Sequence, residues 1–398
     1  MFLQSATRRF NREFALVFAL LFNAFSWYFI GRSVIWNSDA NNSMLEIAFL
    51  TSIIVSGLLG SVLLAKIAKN KVLLAWTIEG TIVPFCLMVP QNPVLPIGLA
   101  IVVLFGSSIG IGMPSLLAFF AASLPVEGRG KTGGLVLFGT TLSASLFTII
   151  IPELGIESSV AILSLWRLWS LPLVIPLFKG MTDLKFDLPE IASFRRVIHN
   201  RNMTLFLAAW LLFTLVDGFG ASTVGNHIEQ LSNGFTVLEL AVASLSALGG
   251  GIISDWIGRK KVIMFGFVSL GVGYAAVGLM PTTGLSWLLF IVVDGIAIGS
   301  LWTIFTIVLW GEMDTRGSEK YYALGEIPYF LTGIVSIGMV SYTSAIPETS
   351  TFSLAALFLF VAVIPLMYAF ETLPEKKMKH RELKIYMEKA QEAKQRYA

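Results

Sequence analysis

The chain alternates long apolar runs that carry almost no charge with short polar segments. A helix needs about 20 largely apolar residues to cross a bilayer, whereas a membrane β-strand would show only about ten residues of alternating polarity. The runs therefore predict an all-α membrane protein rather than a barrel. The predicted membrane-spanning helices lie near residues 14–36, 44–65, 72–90, 94–123, 131–152, 158–178, 203–228, 235–255, 262–281, 285–311, 320–345 and 351–371.

Two uncharged runs are too long for a single helix, and each is interrupted by residues typical of turns. The run from 80 to 126 contains two prolines within residues 89–93, and the run from 262 to 293 contains a Pro-Thr-Thr-Gly segment at 281–284. Proline and glycine in such clusters favour a turn between helices. Dividing both runs at these segments gives twelve spans.

The positions of Lys and Arg agree with this count, because short cytoplasmic loops of membrane proteins are rich in basic residues. The segments predicted to lie inside include residues 66–71, 129–131, 179–201 and 259–261, and all of them carry Lys or Arg. No Lys or Arg occurs in the segments predicted to lie outside, which are 37–43, 91–93, 153–157, 229–234, 281–284 and 344–350. The alternation predicts a multi-pass protein of the cell (inner or plasma) membrane with both termini in the cytoplasm.

Composition supports a membrane protein and argues against several other classes. Of 398 residues, 55% are hydrophobic and 13% are charged, against about 25% charged in soluble domains. The net charge of +3 follows from the topology and indicates no nucleic-acid partner, and the single Cys86 excludes a disulfide framework. No Gly-rich phosphate loop, His-x-x-Glu-His pattern or Cys cluster is present. We therefore expect no enzyme activity, no cofactor and no metal, and a monomer in the lipid bilayer.

Two stretches of the chain recur, at offsets of 187 and 190 residues. The segment 125–131 after the fourth helix resembles 312–318, and the segment 61–73 after the second helix resembles 251–263. An internal repeat of this length indicates two related structural units. The predicted organisation is an N-terminal six-helix half at 1–178, a cytoplasmic linker at 179–202, a C-terminal six-helix half at 203–372 and a cytoplasmic basic tail at 373–398.

The loop after the second helix of the C-terminal half combines residues with distinct physical roles. Gly251 permits close approach of a neighbouring helix, and Asp255 can pair with a basic group or cap a helix N-terminus. Gly258 allows a tight turn, and the basic run 259–261 anchors the loop at the membrane interface. In the N-terminal copy, Ala65 stands at the acidic position and Ala68 at the second glycine.

This loop resembles the loop signature of the major facilitator superfamily. The Pro125-to-Gly130 segment and the Glu371-Thr372 ending are also similar to that family, the latter to its sugar and organic-metabolite porters. The resemblance implies two halves that rock about a site at the membrane midplane. It also implies a gate, or conformational motif, formed by Gly251, Asp255, Gly258, Arg259, Lys260, Arg129 and Arg316. The alanines of the N-terminal copy leave the acidic position of a gate salt bridge unfilled on that side.

Ionisable groups inside the spans are the main candidates for function, because each costs about 2.5–3.5 kcal/mol to place at bilayer depth. Asp217 lies in the middle of the seventh helix and is a candidate proton-binding or substrate-binding carboxylate, with a structural pair to a buried Arg as the alternative. Glu326 precedes Pro328 and therefore a kink. The other charged candidates are Asp294, Arg32, Glu79 and Arg167, and Glu239 is expected at the membrane interface.

The arginines can bind an anionic solute or neutralise carboxylates, and neutralisation is favoured for Arg167. Asn23 and Trp27 are spaced on one face of the first helix, while Trp302 and Tyr329 could stack on a ring. These four are candidates for solute contact, although packing and interhelical hydrogen bonding are the common roles of such residues.

These observations predict a secondary active transporter that moves a small polar organic solute, such as a sugar or a carboxylate-like metabolite, by alternating access coupled to protons. Asp217 and Glu326 are the expected coupling carboxylates. The first alternative is a proton-driven exporter of amphiphilic compounds, favoured if the cavity proves mostly aromatic and apolar. The second is a membrane scaffold or sensor that does not transport.

Overall fold

The computed structural model describes residues 2–37, 43–89, 95–180, 193–231, 233–314, 317–343 and 346–373, and nearly all of them are helical. The part of the basic tail beyond residue 373, residues 181–192 of the linker and Arg316 lie outside the described residues. The helices follow the apolar runs because a chain in lipid must satisfy its backbone hydrogen bonds within each segment.

The N-terminal half contains eight helices in its described residues. They are α1 (Phe2–Asn37), α2 (Ser43–Leu63), α3 (Lys69–Ile82), α4 (Leu95–Gly110), α5 (Met113–Ser123), α6 (Val126–Ile150), α7 (Ile156–Leu168) and α8 (Leu171–Gly180). A 3-10 helix at Val83–Met88 extends α3. The predicted span near 94–123 is formed by α4 and α5 in sequence, with a turn at residues 111–112 just before Pro114.

A short helix in the linker, α9 (Phe194–Ile198), leads into the C-terminal half. That half contains α10 (Arg201–Leu231), α11 (Asn233–Ile257), α12 (Arg259–Leu279), α13 (Gly284–Trp302), α14 (Trp310–Met313), α15 (Ser318–Gly325), α16 (Ile327–Thr343) and α17 (Glu348–Tyr368). A π-helix at Thr303–Val308 joins α13 to α14.

Eleven segments among the described residues are long and apolar enough to cross a membrane. The predicted eleventh span, near 320–345, is not among them, because a break at Glu326 divides it into α15 and α16. Pro328 stands in the first turn of α16, where its missing N–H costs no intrahelical hydrogen bond. The break places the charged residue Glu326 at the junction of the two helices.

The two halves contact each other mainly through three helix pairs: α6 with α11, α2 with α16, and α5 with α15. Glycines allow the closest of these contacts. A Cβ atom at Gly251 would overlap the carbonyl oxygen of Gly130, and one at Gly130 would overlap that of Gly251. The basic loops 66–71, 129–131 and 259–261 lie near this contact, and we call this end of the helix bundle the basic face.

Candidate functional site

A cavity lies between the two halves, with about 740 Å³ of empty space when the part open to solvent is included. The N-terminal half contributes residues of α1, α2, α4, α5 and α6, and the C-terminal half contributes the region from Trp302 to Phe330. Residues from both halves therefore surround one space at the centre of the bundle.

Aromatic rings form a continuous band along this cavity. The ring of Phe29 stacks on Trp302 with 6.5 Å between centroids, and Trp302 meets Tyr329 edge to face at 5.0 Å. Tyr329 contacts Phe330 at 5.1 Å, which in turn meets Tyr28 at 5.9 Å. The band begins and ends on α1 and passes through the C-terminal half. Trp302 and Tyr329, predicted from sequence as possible stacking residues, are both part of it.

Glu326 is the single formal charge among the described residues that line the cavity. The break between α15 and α16 positions it there. Its Oε1 atom is buried and has no hydrogen-bond partner in the described part of the chain. Trp302 is in a similar situation, because its Nε1–H donor is buried and makes no hydrogen bond there. The cavity therefore contains one acceptor and one donor whose hydrogen-bonding capacity is unused.

Arg32 lies beside the aromatic band but does not line the cavity. Its Nη1 is 3.5 Å from the hydroxyl of Tyr329, and its Nη2 is 3.5 Å from Oε1 of Glu46. Tyr329 also accepts a weak hydrogen bond, 3.4 Å long, from Tyr28. The Arg32 charge is thus paired with Glu46, and its other contact connects the first half to the second.

Four further candidates, Asn23, Trp27, Glu79 and Arg167, lie together within the N-terminal half. The Arg167 side chain is 2% exposed and lies over the rings of Trp27 and Trp76, with its Cζ atom 4.9 and 4.0 Å from their centroids. Its Nη1 donates to Oδ1 of Asn23 over 2.9 Å. None of this group lines the cavity. The cluster instead holds a buried cation by cation–π contacts, with Glu79 near enough to act on it electrostatically.

Three carboxylates of the C-terminal half lie close enough to act on one another electrostatically. Asp294 is buried, whereas Glu239 and Asp217 are half-buried. Like charges at close range in a medium of low dielectric constant repel each other, which favours protonation of one of them. Glu239 is the third residue of the apolar segment Val237–Ile257, so it stands near one end of that span. Asp217 and Asp294 do not line the cavity that contains Glu326.

At the basic face, Asp255 connects the two halves. Its Oδ1 and Oδ2 atoms accept hydrogen bonds from the backbone N–H groups of Gly130 (2.9 Å) and Lys131 (2.7 Å), in the first turns of α6. These two bonds hold the carboxylate beside the N-terminal part of α6, where the helix dipole favours a negative charge. Arg259 pairs with the same carboxylate at 2.6 Å.

Arg259 is fully buried and connects several elements of the basic face. It forms a second ion pair with Glu312 at 2.9 Å and donates to the carbonyl of Val126 across the halves at 2.8 Å. Burial raises the pKa of Glu312, an effect that the Arg259 charge opposes. Glu371 accepts from the backbone N–H of Arg259 at 2.8 Å and of Lys260 at 3.1 Å, so it caps the start of α12. Gly258, with φ of +106°, supplies the turn before that helix.

Two further contacts join the halves at the basic face. Nη1 of Arg129 donates to the Gly311 carbonyl over 3.2 Å. Lys69, at the start of α3, forms an ion pair with Glu319, at the start of α15, and both side chains are less than one-sixth exposed. This pair connects the N-terminal copy of the loop to the C-terminal half although Ala65 occupies the acidic position. Sequence reasoning missed it because the two residues are 250 positions apart and belong to no common motif.

Considered together, these features define a helical bundle of two halves with a central cavity and a polar layer that joins the halves at one face. This is the fold of major facilitator superfamily transporters, and solved structures of that superfamily match almost the whole chain. The proton:xylose symporter XylE matches with a TM-score of 0.68 at 15% identity, covering 92% of this chain and 97% of its own. FucP, in the outward conformation, matches with a TM-score of 0.66 at 11% identity, covering 89% and 98%.

The human organic anion transporter MFSD10 has the same fold, with a TM-score of 0.64 at 14% identity, covering 90% of this chain and 99% of its own. No family model matches the sequence, and no curated protein matches it. The structural likeness therefore establishes the fold, and the local geometry has to indicate the chemistry.

Proposed function

We propose that this chain is a secondary active transporter that moves an organic solute through the central cavity by alternating access, coupled to protons. Twelve spans in two six-helix halves, with both termini in the cytoplasm, are part of the proposal. The observation that supports it most directly is the combination of one cavity shared by both halves with a polar layer that joins the halves at the basic face. Breaking that layer would open the cavity at the basic face, while closing the opposite end of the bundle would seal it there.

The lining of the cavity favours an amphiphilic solute over a sugar. A sugar needs many hydrogen-bonding groups, whereas this lining is dominated by aromatic and aliphatic side chains with few polar atoms. The second candidate, a sugar or a carboxylate-like metabolite, is favoured by the names of the structures with the same fold, which include a fucose:proton and a proton:xylose symporter. Because these structures are less than 25% identical to this chain, their names carry less weight than the residues of the cavity itself.

Proton coupling is assigned to the acidic groups of the C-terminal half. Asp217, Glu239 and the buried Asp294 form a carboxyl cluster, and we assign a shared proton to it. Like charges in a medium of low dielectric constant repel strongly, so losing that proton would favour a rearrangement that separates or hydrates the carboxylates. Glu326 is the second coupling group, because it faces the solute directly.

The test is flux measured in proteoliposomes with an imposed pH gradient and a pH-sensitive dye inside, using a panel of amphiphilic compounds, sugars and organic acids. We expect at least one solute to move protons in the wild type. In the Asp217→Asn variant we expect proton movement to fall at least about tenfold, because a neutral amide cannot carry the proton, while the variant still binds the solute.

Glu157→Gln is the matched control, since it makes the same chemical change in an exposed residue at the start of α7. Its flux should equal that of the wild type. Solute flux that ignores the pH gradient, or that survives Asp217→Asn with its proton movement intact, contradicts the coupling. A protein that is stably folded but moves no solute of any class supports the scaffold alternative instead.

A further inference from the structure

The charge distribution around the cavity is unbalanced toward the negative. The described residues that line it include Glu326 and no Lys or Arg. Arg32, which lies beside the aromatic band, is paired with Glu46. A carboxylate in an apolar environment is costly unless a cation or a proton accompanies it. Since the protein provides no cation for Glu326 in its described residues, this carboxyl group either holds a proton or pairs with a cation that enters from outside.

The walls of the cavity fit the body of such a cation. The faces of aromatic rings carry a partial negative charge and attract cations positioned over them. Trp302 and Tyr329 lie in the same half as Glu326, and Tyr28 and Phe29 face them from α1. An aromatic band that passes beside a single carboxylate is suited to a positive charge surrounded by apolar groups.

We infer that the cavity binds a monovalent organic cation with an apolar body, whose charge pairs with Glu326 while its body packs against the aromatic band. The inference rests on the proposed transport function and names the class of its solute. The exchange is balanced: the protonated Glu326 carboxyl group releases one proton to water as one cation enters, so the net charge of the cavity is unchanged. The unused Nε1–H donor of Trp302 adds a preference for cations that also carry a hydrogen-bond acceptor.

An anion of the same shape and a neutral compound with three of the same phenyl groups serve as comparisons. Tetraphenylphosphonium and tetraphenylborate have nearly equal size and opposite charge, and triphenylphosphine oxide is neutral. We would measure their binding to the purified full-length protein in nanodiscs by equilibrium dialysis, subtracting the binding to empty nanodiscs. We expect the phosphonium cation to bind at least about tenfold more tightly than the borate anion.

Variants assign the preference to the proposed groups. Glu326→Gln should weaken phosphonium binding about tenfold or more and leave binding of the neutral phosphine oxide unchanged, which also shows that the variant is folded. Trp302→Leu should weaken phosphonium binding several-fold, and Trp302→Phe should largely preserve it. Glu157→Gln, which alters an exposed carboxylate, should bind all three probes as the wild type does.

Equal or tighter binding of the borate anion overturns the inference, and so does a phosphonium affinity that is unchanged in Glu326→Gln. These results are separable from a failure of the transport function. If sugars or organic acids drive proton flux but the cation shows no preference, the solute class is wrong and transport remains. If the cation binds with the expected selectivity but no solute crosses the proteoliposome membrane, the binding site remains and transport fails.

Discussion

Gly251 illustrates how one position controls the contact between the halves. Because its Cβ would overlap the backbone of Gly130, we expect Gly251→Val to separate α6 from α11. Overpacking of a tight contact typically costs about 1–3 kcal/mol. Here it would destabilise the conformation in which the two halves are joined at the basic face. The variant should expose this face to proteases and lose most of its transport.

Gly249 provides the matched control two residues away on the same helix, because a Cβ there would meet no atom within 4 Å. Gly249→Val should therefore keep wild-type stability in a thermal unfolding assay and wild-type flux. If the two valine variants behave alike, the close approach of Gly251 to Gly130 is not what joins the halves.

At the scale of single residues, the sequence predicted the chemical role of a residue better than it predicted which residues that residue contacts. The glycine and aspartate of the 251–258 loop could be assigned physical roles from their types and spacing alone. The contacts of Glu239 and Arg167 could not. In a membrane helix both the lipid-facing and the protein-facing sides are apolar, so the periodicity that would reveal the inward side of a soluble helix is weak.

At the scale of elements, the ion pair between Lys69 and Glu319 joins α3 to α15. Both side chains are largely buried, so solvent screens the pair only weakly. Reversing one of the two charges should therefore lower the stability of the protein. We expect Lys69→Glu or Glu319→Lys alone to destabilise the joined basic face and to reduce flux, because two like charges would then face each other.

The double exchange, with Lys69→Glu and Glu319→Lys in one chain, should recover a large part of the loss. Coupling energies between contacting residues are typically about 0.5–3 kcal/mol, which a double-mutant cycle on thermal stability can measure. Lys71→Glu is the control, since it makes the same charge change in the same loop at an exposed position. Additive effects of the two single reversals would show that the pair contributes nothing.

The elements themselves were predictable where hydrophobicity and turn chemistry agree. The turns at 89–93 and 281–284 carry prolines or glycine, and apolar runs on both sides predict helices. The junction of α4 and α5, the π-helix at Thr303–Val308 and the break at Glu326 depend on packing against other helices. Of these, only the kink beside Pro328 was predicted, although Pro114 also follows directly after the turn between α4 and α5.

At the scale of the whole molecule, the distribution of basic residues predicts which loops face the cytoplasm. In a Cys86→Ser background, which removes the single cysteine, we would place one new thiol at a time. A membrane-impermeant maleimide added to intact cells should label the Glu157→Cys variant and leave Lys71→Cys unlabelled until the membrane is permeabilised. Both positions are exposed, so access depends on the side of the membrane.

The background variant alone should remain unlabelled under both conditions. Labelling of Lys71→Cys in intact cells, with Glu157→Cys protected, would invert the topology, and labelling of both would contradict the helix count between them. The repeat and the charge alternation predicted the order of the helices from sequence. The cavity could not be predicted in this way, because its walls come from helices of both halves whose rotation is set only when the halves pack.

Most contacts across the polar layer at the basic face run in one direction. In three of them the donor belongs to the N-terminal half and the acceptor to the C-terminal half: the backbone of residues 130–131 to Asp255, Arg129 to the Gly311 carbonyl, and Lys69 to Glu319. The bond from Arg259 to the Val126 carbonyl runs the other way. Two copies of one half would lose most of these pairings. The halves are therefore related in sequence but not interchangeable, and separately expressed halves should assemble only as a pair of unlike partners.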